Sequence, residues 1–374
     1  MRLFDCTLRD GGNVLGNGFP RDLTLMILRG LLDNHITRIE YGNAYGIGAY
    51  EADGKTAPLT DQEYLDLAQP FLSQGEIGMF VGVKNAEEKN IALAASKGMK
   101  FLRIGANAGD GNAAKNAIAL IRKYKMFPRY SLMKGYILSA EDLAREAKQL
   151  EDWGLGAVTI MDSAGTMTPD QVAEYIEELL KTVSIPVGFH GHNNLGLSAA
   201  NALAAEKSGA AELDCGLLGM ARSAGNLPTE LAAALFQRNR KLKEINNTGA
   251  RPDVCCSGKV FDSGRIPVSS AASLPHESGR LGMHPSQTIN FLGLLEFIDT
   301  TLAPAMAQHN YRAAISPQDL ILGYAGCHSN FLGLFKEVAK AEKTNLYQLI
   351  IEVSKKNRKN PSKEEMIKAA GELR

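Results

Sequence analysis

The stretch 2-RLFDCTLRDGG-12 opens with a short run, 2-RLFDCTL, and closes on an arginine, an aspartate and two glycines. Seven more short apolar runs follow: 36-ITRIEYGNA, 77-IGMFVGVKN, 99-MKFLRIGAN, 129-RYSLMKGYI, 156-GAVTIMDSAG, 185-IPVGFHGHNN and 210-AAELDCGLLG. Flanked by Gly, Asp or Asn, these runs read as strands. Between them, 22-DLTLMILRGLLDNH, 139-SAEDLAREAKQLEDWG, 168-TPDQVAEYIEELLKTV and 196-GLSAANALAAEKSG have the periodicity of helices. Repeated βα units give a parallel sheet covered on both faces. Counting 2-RLFDCTL as the first strand makes eight candidates, and that count favours a closed (β/α)8 TIM barrel over an open doubly wound sheet, which stays possible. Ser139 and Thr168, the latter followed by Pro169, are expected N-caps that fix the register of two units.

Three segments are expected: a barrel over 1–249, a Gly-, Pro- and Ser-rich insertion or linker over 250–287, and a small helical domain over 288–374. The last shows helical periodicity in 287-QTINFLGLLEFIDTTLAPAM, 330-NFLGLFKEVAKAEK, 345-NLYQLIIEVSKKNRK and 362-SKEEMIKAAGEL.

Lysine plus arginine equals aspartate plus glutamate at 41 each, so no global field favours nucleic acid or an anionic membrane. No apolar run reaches the ~18 residues of a membrane span. Five cysteines without Cys-x-x-Cys spacing argue against a disulfide framework and a zinc knuckle and fit a cytoplasmic protein. The N-terminus shows no secretory signal.

The densest chemical signal is 189-FHGHNNLG. Residues two apart in a strand share a face, so His190 and His192 can present two imidazoles to one ion, or form a hydrogen-bonded polar pair. After the first strand, 7-TLRDGG places Arg9 and Asp10 at a strand end, as an ion pair in a tight turn or as functional groups with glycines that let substrate approach the backbone. In 219-GMARSAGNLPTE, Asn226 offers an amide oxygen or a helix cap. Together these residues suit Mn²⁺, Mg²⁺ or Zn²⁺ as a Lewis acid for enolate chemistry on a 2-oxo acid, with Arg9 as a second positive stabiliser. Lys84 and Lys134 near strand ends read as solvated or phosphate-binding rather than Schiff-base lysines, and 42-GNAYGIGAYEADG reads as a mobile loop over the barrel mouth.

TLRDG, HGHNNLG and 219-GMARSAGN resemble the DRE-TIM metallolyase superfamily, which includes isopropylmalate and homocitrate synthases, hydroxymethylglutaryl-CoA lyase and 4-hydroxy-2-oxovalerate aldolase. Within it, 131-SLMKGYILSAEDLAREAKQLEDWG, 158-VTIMDSAGTMTP and 320-LILGYAGCHSNFL resemble the 4-hydroxy-2-oxovalerate aldolases, over most of the chain except residues 250–287. The resemblance implies an aldolase that cleaves or forms a 4-hydroxy-2-oxo acid, giving pyruvate and an aldehyde through a metal-bound enolate. Asp10, His190, His192 and Asn226 would hold the metal, Mn²⁺ first, with Mg²⁺, Zn²⁺ or Co²⁺ as alternatives. Arg9 would stabilise the enolate and Ser163 would contact the substrate carboxylate.

Two positions depart from the family. Gly12-Asn13 stands where the family has its catalytic histidine, which puts Asn13 at the substrate; His328 replaces a tyrosine on the aldehyde side. His328 is therefore the candidate base and Tyr324 the fallback proton donor. Expected partners are a small 2-oxo acid, an acylating aldehyde dehydrogenase and further copies of the chain, with no nucleic acid and no membrane. The rival readings are a Claisen-type acyl-CoA condensing enzyme and a non-catalytic scaffold.

Overall fold

The computed structural model describes residues 1–52, 54–248, 289–327, 331–357 and 361–373. The expected insertion at 250–287 lies outside the described residues. Eight parallel strands close into a barrel in sequence order: β1 (Arg2–Asp5), β2 (Arg38–Tyr41), β3 (Glu76–Gly82), β4 (Phe101–Asn107), β5 (Phe127–Met133), β6 (Ala157–Asp162), β7 (Val187–Gly191) and β8 (Glu212–Cys215). β1 closes the ring on β8 with Arg2 opposite Glu212 and Phe4 opposite Asp214. The eight sequence runs are these eight strands.

Two helix starts carry the expected caps. Ser139 Oγ accepts from Asp142 N at 3.1 Å. Thr168 forms a full capping box with Gln171, and Pro169 takes the first helical position, where a missing N–H costs nothing.

The barrel interior has an unusual composition. At the N-terminal end Glu212 pairs with Arg38 and, at 2.6 Å, with Arg129. Above them Phe4 and Phe101 meet with ring centroids 5.4 Å apart. Arg103 follows, fully buried, its guanidinium 4.4 Å above the Phe4 ring. Gly105 in β4 is required by close approach, since a Cβ there would lie 2.0 Å from the Phe80 ring. Alternation along strands thus stacks charge, aromatic and charge up to the C-terminal mouth, where barrel enzymes place their chemistry.

Among the described residues two compact units separate. The first holds Met1–Gln237 and the chain that follows the insertion as far as Leu320; the second holds the remainder of the helix from Arg238 and the chain from Ile321. The helical stretch Phe291–Ala307 therefore groups with the barrel, whereas the sequence division places everything after 287 in one helical domain. The cause is local packing: Asn290 N donates to Asn34 O at 3.2 Å, and Phe297 fills the space left by Gly30. In the second unit the helices Leu332–Ala341, Leu346–Lys356 and Lys363–Glu372 pack on one another. Among the described residues no helix is long and apolar enough to cross a membrane, and Cys6, Cys215 and Cys327 are free thiols.

Candidate active site

Beyond β1 the chain turns at once into a 3-10 segment, Asp10–Leu15. Asp10 N donates to Cys6 O at 2.8 Å, which sets the carboxylate at the mouth of the barrel. Gly11 and Gly12 serve packing here rather than substrate access. A Cβ on Gly12 would lie 2.8 Å from Gly18 Cα, and one on Gly11 would press on Met220.

At the end of β7, His190 points inward and His192 follows just beyond the strand. Opposite them Gly225, at φ +84°, turns the chain so that Asn193 N donates to Gly225 O at 2.9 Å and Asn226 bridges His192. One ligand atom from each of Asp10, His190 and His192 lies within 4.8 Å of the other two. Asn226 Nδ2 donates to Asp10 Oδ2 at 2.8 Å, so the residue is not a helix cap, and its Oδ1 is buried without a hydrogen-bond partner. A buried, unsatisfied amide oxygen beside a carboxylate and two imidazoles is the mixed O/N donor set a divalent cation takes. These residues therefore fit a metal.

The surroundings keep the donors ready. Burial alone would raise the Asp10 carboxyl, but Arg9, then His190 and His192, outweigh it and hold it well below the usual carboxylate range. Burial first, then His190, brings His192 down to about 4, so its ring is neutral near pH 7. His190 Nδ1 lies 3.0 Å from Asp214 Oδ2. With that carboxylate ionised, the neutral ring carries its proton on Nδ1 and leaves the Nε2 lone pair toward Asp10, 3.6 Å from its Oδ2. A second cluster, Cys6, His190 and Asp214, is geometrically compact too. It is occupied by Arg103, whose Nη1 donates to Asp214 at 2.6 Å and whose Nη2 contacts Cys6 Sγ at 3.3 Å.

Arg9 is fixed on two sides. Its Nε donates to Glu40 Oε2 at 2.5 Å and its Nη1 pairs with Asp10 at 3.1 Å, while Nη2 is buried with no partner. The ion pair and the functional reading of this arginine are therefore compatible. Asn13 spans Asp10 and Arg222: its Nδ2 donates to Asp10 Oδ1 at 3.1 Å, and its Oδ1 accepts from Arg222 Nε at 2.8 Å. Ser163 stands exposed past the end of β6 and accepts from Lys134 N at 3.0 Å. The loop after β2 is tied down by Ala44 N to Asn17 O at 2.8 Å and by Asn43 Nδ2 to Lys55 O at 2.7 Å.

Arg9, Asp10, Asn13, His190, His192 and Asn226 thus come together. Tyr324 belongs to the second unit, where its carbonyl accepts from Arg238 Nη1 at 2.6 Å. His328 lies outside the described residues. Sequence reading did not single out Glu40, Arg103 and Asp214; the available signal was a charged residue at an inward position within each of three strands.

The HMGL-like family matches residues 1–251. The 4-hydroxy-2-oxovalerate aldolase of Desulfitobacterium hafniense is 30% identical over 238 residues, which cover 64% of this chain and 72% of that protein. Its namesake from Carboxydothermus hydrogenoformans is 28% identical over 359 residues, 95% of this chain and 92% of that one. Among solved structures, the N-terminal domain of a Bacteroides vulgatus protein described as an aldolase superposes with a TM-score of 0.60 at 20% identity, covering 83% of this chain and 89% of that chain, a likeness of fold alone.

Proposed function

The chain belongs to the HMGL-like family, and from that premise we propose that it is a divalent-metal-dependent aldolase that cleaves, or forms, a 4-hydroxy-2-oxo acid, with pyruvate and an aldehyde as the other side of the reaction. Carbon–carbon lyase activity is supported by curated relatives named 4-hydroxy-2-oxovalerate aldolase. The observation that carries the metal reading is the buried, unpartnered Asn226 Oδ1 beside Asp10, His190 and His192.

Bound there, a divalent ion, Mn²⁺ in this proposal, would supply a Lewis acid to the carboxylate and 2-oxo oxygens of the substrate. Arg9 offers its unpartnered Nη2 to the oxygen on which negative charge gathers as the C3–C4 bond breaks, and Glu40 and Asp10 keep that guanidinium from rotating away. Ser163 is assigned the substrate carboxylate. The base that takes the 4-hydroxyl proton is assigned to His328, with Tyr324 as the other proton carrier, on the strength of the sequence alone. Self-association, an acylating aldehyde dehydrogenase partner and a cytoplasmic location rest on the family resemblance.

Pyruvate release coupled to lactate dehydrogenase, from a panel of 4-hydroxy-2-oxo acids with and without Mn²⁺, tests the proposal, with Asp10→Ala as control. Metal-dependent pyruvate that disappears in the variant is expected. No pyruvate from any acid, together with coenzyme A release from an acyl-CoA and a 2-oxo acid, would replace the aldolase reading with acyl-CoA condensation.

A further inference from the structure

Two cations converge on one aromatic ring at the barrel mouth. Arg222 Cζ lies 4.4 Å from the centroid of Tyr45, and Lys55 Nζ lies 4.8 Å from the same centroid. Neither has a carboxylate partner among the described residues. Both are nevertheless held in place. Arg222 is exposed, yet its Nε donates to Asn13 Oδ1 at 2.8 Å, and Asn13 in turn donates to Asp10. Lys55 is anchored through its carbonyl, which accepts from Asn43 Nδ2 at 2.7 Å. Tyr45 N donates to Asn43 Oδ1 at 2.9 Å, and the next residue, Gly46, bridges Val81 at the end of β3.

Long cationic side chains on a surface ordinarily keep their rotamer freedom and their water, and ordering one costs conformational entropy. Here two are set against one ring, and among the described residues neither has a counter-charge. Asp10, two hydrogen bonds from Arg222, is itself committed to Arg9. An anion seated beside Tyr45 would supply that counter-charge and take the remaining guanidinium donors of Arg222.

We propose that Arg222 and Lys55 form a subsite for a substrate whose aldehyde half carries its own negative charge, a carboxylate or a phosphate. The inference rests on the aldolase reading above and names the substrate class for it. Through Asn13, Arg222 is two hydrogen bonds from Asp10, so a ligand spanning both places its 2-oxo acid end at Asp10 and its charged end at Tyr45.

The test uses the Mn²⁺-loaded protein and 4-hydroxy-2-oxo acids of matched length that end in methyl, carboxylate or phosphate. In parallel, calorimetric titration compares 2-oxoadipate with 2-oxohexanoate, whose far end is an uncharged methyl group. A hydrogen bond to a charged group is worth ~1.5–3 kcal/mol, so the charged member of a pair is expected to show kcat/KM about 10- to 100-fold higher, expressed in KM. In Arg222→Gln the ratio should collapse toward one; Lys55→Gln should lower it less. The carboxylate and phosphate arms decide which anion is preferred. Equal use of anion-ended and methyl-ended acids by the unmodified protein, or a ratio untouched by Arg222→Gln, overturns the inference. If no acid yields pyruvate but 2-oxoadipate binds more tightly than 2-oxohexanoate, and Arg222→Gln abolishes that preference, the aldolase reading falls and the anion subsite stands.

Discussion

His190 Nδ1 and Asp214 Oδ2 stand 3.0 Å apart inside the barrel, and this contact decides which face of the imidazole meets the candidate metal centre. Burial would raise the Asp214 carboxyl, but Arg103, followed by the hydrogen bond from His190, holds it at about 2, so it remains an acceptor at any pH where the protein functions. Pairing one ring nitrogen with a carboxylate fixes the tautomer and increases the basicity of the other.

Asp214→Asn keeps a polar group of the same shape and removes the charge. Metal affinity is expected to fall about 10- to 100-fold, the usual cost of losing such an outer partner. Titration of the metal-free protein with Mn²⁺, followed by the electron paramagnetic resonance of the free ion, reads this directly. Unaltered affinity would mean that Asp214 serves only the fold.

Arg103 joins Glu40 to Asp214, with Nε to Glu40 Oε1 at 2.6 Å and Nη1 to Asp214 Oδ2 at 2.6 Å, and all three side chains are buried. Arg103→Leu leaves two carboxylates buried with their common cation gone. Breaking a buried pair from one side costs about 3–5 kcal/mol, which for a chain of this size is a fall in Tm of about 4–6 °C. Thermal unfolding of the metal-free protein checks it; a Tm within a degree of the unmodified chain would show that the network contributes nothing net.

That network also marks where the sequence stopped being informative. The strands were legible because each is a short apolar run closed by Gly, Asp or Asn, and the His-x-His spacing drew attention to His190 at the end of β7 and His192 just beyond it. Arg9, Asp10 and Asn226 were legible because each follows a strand end, where barrel chemistry collects. Glu40, Arg103 and Asp214 were not, since what makes them a unit is contact between residues 63 and 111 positions apart. The same limit hid Arg222. It sits inside the quoted segment 219-GMARSAGN, but its relation to Tyr45 and Asn13 exists only once β1, β2 and β8 lie side by side. Helical periodicity located Phe291–Phe297 without revealing that Phe297 packs against Gly30.

Two buried carboxyls outside the candidate ligand set predict a pH dependence of stability. Burial, the largest influence on each, raises Asp5 to about 6 and Glu230 to about 7. Each therefore binds its proton more tightly folded than unfolded, and stability falls as pH climbs from the ordinary carboxylate range through those values, then levels off. Asp214 and His192 work oppositely: the contribution of Asp214 is complete above about pH 4 and is lost as pH falls toward 2, and that of His192 is lost as pH falls from its ordinary range to about 4. The metal-free chain should melt higher at pH 5 than at pH 8. In Glu230→Gln the side-chain oxygen can still accept from Leu218 N, as Glu230 Oε2 does at 3.2 Å. The slope from pH 5 to 7 should therefore flatten, and the variant should be more stable than the unmodified chain at pH 8 by about 1–3 kcal/mol. Identical slopes in both proteins would sink this account.

Asn226 separates the ligand reading from a purely structural one. Its Nδ2 donates to Asp10 Oδ2 at 2.8 Å while its Oδ1 has no partner. If the amide only braces Asp10, Asn226→Asp is harmful under all conditions, because it replaces a donor with a second carboxylate at hydrogen-bond distance. If the oxygen is a ligand, the same substitution is harmful only without metal. Two carboxylates then repel or share a proton, lowering the Tm of the metal-free chain, while a divalent ion gathers an additional negative donor. Because a bound ion stabilises by RT ln(1 + [L]/Kd), tighter binding appears as a larger rise in Tm on adding Mn²⁺. The expected result is a Tm below that of the unmodified chain in chelator and an Mn²⁺-induced rise exceeding that of the unmodified chain. A rise smaller than the unmodified chain's would remove Asn226 from the ligand set and leave Asp10, His190 and His192 alone in it.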